Sequence, residues 1–148
     1  MTIWLLRHGD AEDGSGDDAA RRLTAKGERQ ARDAGLALAA LGAKPDACLA
    51  SPRVRAAETA RIACEALGVE VEIAPELQGG RFDPESLAAG RGDVLMVGHE
   101  PDFSDAVAGL TGARVALKKG GLATVDGRLL VSLLRPAELR RIAHGPDG

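Results

Sequence analysis

Two uninterrupted apolar runs, "TIWLL" (2–6) and "DVLMVGH" (93–99), constrain this chain more than any other feature. Each is short and lacks polar alternation, so each reads as a strand buried on both faces. Such strands need helices on both sides, and the rest of the sequence supplies them. "LTAKGERQARDAGLALAALG" (23–42) offers Thr24 as N-cap, Ala31, Ala34, Leu38 and Leu41 at helical spacing, and Gly42 as a stop. "SPRVRAAETARIACEALG" (51–68) offers Ser51 as N-cap, Pro52 at the first helical position and Gly68 past the end, with Ala56, Ala60, Ala63 and Leu67 facing inward. Pro101 opens a further helix carrying Phe103, Val107 and Leu110.

Between these lie "DACLA" (46–50), a second short strand, and "VEVEIA" (69–74), an alternating strand expected near a sheet edge. The glycine- and aspartate-rich stretch 9–22 reads as a loop, and 75–92 as a connection with one short helix from Pro84 to Ala89. "GLATV" (121–125) and "RLLVSLL" (128–134) predict a terminal hairpin turning at Asp126-Gly127. Strands alternating with helices give a single α/β domain over 1–148, a three-layer α/β/α sandwich with a mostly parallel central sheet.

The net charge of −3 and an aromatic content of 2% argue against a nucleic-acid surface or a base-stacking platform. No apolar run approaches the ~18 residues of a membrane span, and no basic-then-apolar leader opens the chain, so a cytoplasmic protein without membrane contact is expected. Cys48 and Cys64 lack CxxC spacing and are expected to be buried reduced thiols.

Ligands of open α/β sheets bind beyond the carboxyl ends of the strands. Three segments that end strands, "LLRHG", "LASPRVR" and "MVGHEP", carry two of the three histidines and several arginines. The third histidine, His144, lies in the tail-like "AHGPDG" and reads as a solvated surface residue. Arginines present forked donors that match phosphate oxygens, and the start of the helix at Ser51-Pro52 adds backbone N–H groups. A neutral imidazole among arginines is a competent nucleophile toward phosphorus, because neighbouring positive charge keeps it unprotonated. Gly9 removes a side chain where a phosphate would approach the backbone. Glu58 is placed to orient Arg55 or Arg61, and Arg53 reads as a surface helix residue or a rim contact. His8 and His99 as metal ligands are set aside, since no third ligand stands at suitable spacing and the arginines would repel a cation.

"RHG" after a first strand, "LTAKGERQA" opening the next helix, "SPRVRAAETA" and "VGHEP" together resemble the histidine phosphatase superfamily, in the branch that contains the phosphoglycerate mutases. "RHGDAE", "SPRVRAAET" and "VGHEPDFS", with the small size, are most similar to the SixA-type phosphohistidine phosphatases. The resemblance runs to roughly residue 135. It implies a phosphoglycerate mutase-like fold and a metal-independent reaction without a cofactor. It makes His8 the nucleophile, with Arg7, Arg55 and His99 holding the phosphoryl oxygens beside Gly9.

Mutase-like relatives place a glutamate after the third strand to protonate an alkoxide. The connection 75–92 shows no recognisable version of it. Glu76 and Asp10 are the candidate acids. Expelling a neutral imidazole needs less help than expelling an alcohol, which favours a protein phosphohistidine substrate. A phosphomonoesterase for a small metabolite and a non-catalytic phosphate-recognition module are the alternatives, and a mutase is disfavoured. The glycine-rich loop 13–17 stands either over the site or simply in solvent.

Overall fold

A computed structural model describes residues 1–14 and 16–146. Six strands form one sheet: β1 (Thr2–Arg7), β2 (Ala47–Ala50), β3 (Val71–Ile73), β4 (Val94–Gly98), β5 (Leu122–Asp126) and β6 (Leu129–Leu134). Their order is β3-β2-β4-β1-β5-β6. The first four run parallel, whereas β5 and β6 are antiparallel additions. The helices are α1 (Ala25–Ala40), α2 (Val54–Leu67), α3 (Pro84–Ala88), α4 (Asp102–Thr111) and α5 (Pro136–His144).

Alternate residues of β1 point to opposite faces, as the strand period requires. Trp4 and Leu6 pack with Ala34, Leu38, Ala60 and Leu139 of α1, α2 and α5. Ile3 and Leu5 pack with Ala88, Phe103 and Val107 of α3 and α4. Leu5, Leu6, Leu95 and Val97 are fully buried, each such side chain contributing about 1.5–3 kcal/mol of apolar transfer. The fold is therefore the expected three-layer sandwich around a mostly parallel sheet.

Four local expectations are corrected. α2 begins at Val54 rather than after Ser51, because Ser51 Oγ accepts from the Arg53 N–H and holds 51–53 in a turn. Leu41, expected on the inner stripe of α1, is the C-cap and 57% exposed, since the chain has already left the helix there. The hairpin turns through Gly127-Arg128, with Asp126 paired to Leu129. The segment after 135 is a helix, α5, anchored by the fully buried Leu139. Its His144 is not simply solvated: Nε2 lies 2.7 Å from Asp33 Oδ1 on α1. Cys48 and Cys64 are free and buried. Among the described residues, no helix is long and apolar enough to cross a membrane.

Candidate active site

Sheet register assembles the site. Arg7 pairs with Gly98 and Ala50 with Val97, so β2, β4 and β1 end together and hand on to Ser51, His99 and His8. The two imidazoles are neighbours, with ring centroids 5.2 Å apart. Among the described residues the buried polar side chains are His8, Ser51, Arg55, Thr59 and His99. All five belong to this strand-end region. Since burying polar groups costs free energy unless they are paired, their concentration in one place marks a site rather than a core.

The hydrogen bonds define the state of each group. His8 Nδ1 lies 2.7 Å from the Gly9 carbonyl, which can only accept, so Nδ1 carries the proton. Burial, with Arg55 and Arg7 nearby, lowers the His8 pKa to about 4. The ring is therefore neutral near pH 7, with an unprotonated Nε2. His99 Nε2 is 2.8 Å from Ser51 Oγ, and its buried Nδ1 has no partner. Burial and the neighbouring His8 and Arg55 lower its pKa to about 3.

A cleft of about 450 Å³ opens over these rings. Arg7, Arg53, Arg55, Arg21 and Lys119 supply its positive wall. Arg7 Nη1 donates to the Leu117 carbonyl at 2.9 Å, and Arg55 Nη1 to the Asp18 carbonyl at 2.9 Å. The buried Nε atoms of both arginines have no partner. Arg53 also lines the cleft, donating from Nε to the Gln78 carbonyl and pairing with Asp18, so it is a rim contact rather than a free surface residue. Glu58 orients neither Arg55 nor Arg61; it pairs with Arg22, while Arg61 pairs with Glu65.

Three of the sequence-derived candidates stand elsewhere. Gly9 does not line the cleft. A Cβ there would meet the Gly27 carbonyl at 2.6 Å, so its missing side chain serves the close approach of α1. Asp10 accepts from the Thr24 hydroxyl at 2.8 Å and lies 3.7 Å from Lys119, within the network that caps α1. Glu76 is exposed and lines a separate cavity with Arg81 and Arg91. Ser15 lies outside the described residues, and with it the question of whether loop 13–17 covers the site.

Three carboxylates missed from the sequence do line the cleft: Asp18, Glu100 and Asp102. Asp18 pairs with Arg21, Arg53 and Arg55, and its contacts to these arginines hold its pKa low. Glu100 accepts from both N–H and hydroxyl of Ser104 and from the Leu117 N–H, so it fixes the segment whose carbonyl orients Arg7. Asp102 accepts from the Gly80 N–H at 3.1 Å, and partial burial raises its pKa. Its position in "HEPD", three residues past His99, was the available signal. Among the described residues, no three His, Cys, Asp or Glu side chains converge as metal ligands.

Residues 3–83 match the histidine phosphatase superfamily (branch 1). An uncharacterised protein of Picosynechococcus sp. (strain ATCC 27264 / PCC 7002 / PR-6) is 33% identical over 139 residues, covering 82% of each chain. The mitochondrial serine/threonine-protein phosphatase Pgam5 of Drosophila ananassae is 40% identical over 97 residues, 57% of this chain and 34% of that protein. The solved structure of the protein histidine phosphatase SixA complexed with tungstate superposes with a TM-score of 0.83 at 25% identity, covering 94% of this chain and 99% of that one. With a neutral histidine facing guanidinium groups across the ends of β1 and β4, this chain belongs to branch 1 of the histidine phosphatase superfamily.

Proposed function

We propose that the protein hydrolyses phosphohistidine on a protein substrate through a phosphorylated His8. His8 Nε2 attacks phosphorus in line while the bond from phosphorus to the substrate imidazole breaks. When the far ring nitrogen of that imidazole is protonated, the imidazole departs neutral, without an acid at the departing nitrogen. Arg7 and Arg55, whose Nε–H groups are unpaired, and the rim Arg53 stabilise the equatorial oxygens. His99, neutral without ligand, gains a proton as the phosphoryl dianion arrives beside it. Water then attacks phospho-His8, phosphate leaves, and Nδ1–H on the Gly9 carbonyl lets His8 depart as neutral imidazole. The positive charge at phosphorus comes from arginines, so activity is expected to survive chelation of divalent ions.

The observation that carries this reading is Glu76. The connection that follows β3 delivers its carboxylate to a cavity separate from the His8 cleft. No acid for an alkoxide comes from that direction, and an imidazole leaving group does not require one. The similarity to the SixA structure supports the same reading.

A second reading, a phosphomonoesterase for a small metabolite, is favoured by Asp102, whose raised pKa suits a proton donor at the cleft wall. Phosphate release from a phosphohistidine-bearing protein and from a small phosphate ester separates the two, with wild type, His8→Ala and Asp102→Asn in parallel. Preference for phosphohistidine, lost in His8→Ala and kept in Asp102→Asn, is expected. Preference for the ester, lost in Asp102→Asn, would establish the esterase. Tight phosphoprotein binding without release would establish a recognition module.

A further inference from the structure

Beside the His8 cleft lies a second cavity, of about 670 Å³, which the proposed chemistry leaves unused. Arg7 and Lys119 line both. Lys26, Lys118 and Arg135 complete its positive wall, and Asp10 is the carboxylate present. Five cations thus surround one acid on a chain whose net charge is −3.

The pairing within this basin is uneven. Asp10 is committed to Thr24 and Lys119, and Arg135 to Glu138. Lys26 and Lys118 are exposed and, among the described residues, carry no ion pair. Like charges gathered without counter-charges repel one another, and a complementary anion relieves that repulsion. Pro136 and Ala137 also line the basin and give aliphatic parts of a side chain an apolar surface to lie against. Nucleic acid fits poorly, since the chain offers few aromatic rings for stacking and a negative net charge.

From this charge complementarity and its continuity with the His8 cleft we infer that the basin docks an acidic segment of the phosphoprotein. The inference rests on the reading of the cleft given above. The substrate presents glutamate or aspartate side chains close to its phosphohistidine. Those carboxylates seat on Lys26 and Lys118, and Lys119 spans the gap between docking and chemistry. Specificity for one phosphoprotein over another then comes from the basin, and the phosphoryl cleft remains common to all.

The test uses the full chain with three probes: a phosphohistidine peptide flanked by glutamates, the same peptide with glutamines, and N-phosphorylated acetylhistidine. The variant is Lys26→Glu/Lys118→Glu, both changes on exposed side chains, with glutamate well tolerated in the first turn of α1. The wild type is expected to turn over the acidic peptide about tenfold more efficiently than the neutral one, through KM, with the advantage shrinking as salt rises. The double variant is expected to abolish that preference and leave the small probe unchanged. Equal turnover of the two peptides by wild type overturns docking alone, as does an equal loss on all three probes in the variant. Binding of anionic lipid vesicles through these lysines, without peptide preference, overturns it in favour of a membrane surface. Failure to turn over any phosphohistidine probe, with ester hydrolysis intact, overturns the underlying function and the docking inference with it.

Discussion

The strand-end cleft and the α1–α5 layer each hold a histidine close to another polar group, and the two are built in opposite ways. His8 and His99 are about 6–7% exposed, their pKa values depressed by burial and by positive neighbours. His144 is half-exposed and rests on the carboxylate of Asp33. The first arrangement costs stability: buried imidazoles held neutral near pH 7, and guanidinium Nε atoms left without acceptors. The second joins two helices by an accessible contact of small worth. A site of chemistry is recognisable by what it sacrifices, and a structural contact by how little it asks of its surroundings.

The largest effect expected of this contrast is in His8→Ala, which should lower phosphate release by at least about a thousandfold with an unchanged circular dichroism spectrum. A modest loss would make the histidine dispensable and remove the distinction between the two regions. Next is Gly27→Ala, where a Cβ would lie 2.0 Å from the Asp10 carbonyl. Backbone cannot yield there cheaply, so a loss of about 3 kcal/mol is expected, read as a lower urea midpoint. Activity should fall with it, because the same segment carries His8.

The pH dependence tests the buried pair directly. The unfolded histidines titrate near 6.5 and the folded ones at about 4 and about 3. Between those values the unfolded chain binds more protons, so stability is greatest above about pH 6.5 and falls as pH drops toward 4. Mutating both histidines to glutamine should flatten that slope, and a slope that persists would assign it to other groups. Without substrate-linked shifts, the acid limb of kcat/KM should lie near pH 4 rather than 6.5.

Asp18→Asn should tighten inhibition by inorganic phosphate about threefold, since it removes a negative charge that now occupies Arg53 and Arg55. The smallest effect belongs to His144→Ala, expected to cost under about 1 kcal/mol and to leave turnover unchanged. A large loss of activity there would mean that α5 reaches the chemistry.

Much of this was legible in the chain. Apolar strands that stop in Arg-His, Ser-Pro-Arg and Gly-His placed the cleft, because residue type and strand polarity suffice to say which edge gathers them. Gly9 reads in the sequence as making room for a phosphate, whereas it makes room for α1. Its neighbour Gly27 is 18 positions away, and only the docking of α1 shows that the two backbones touch. Asp18 reaches the cleft from a short turn with no periodic signal, and Asp102 from the first turn of α4, where only its spacing from His99 marks it. α5 had readable marks, Pro136, Leu139 and Ile142, yet its partner Asp33 lies 111 residues away and no single sequence announces that pairing.

The central claim is tested most directly by trapping the protein during turnover of a phosphohistidine peptide, then mapping the phosphoryl group by mass spectrometry under neutral conditions that preserve it. One phosphoryl group on His8, absent from His8→Ala, is the expected result. Label on any other residue, or steady turnover by a chain that never becomes phosphorylated, would contradict it.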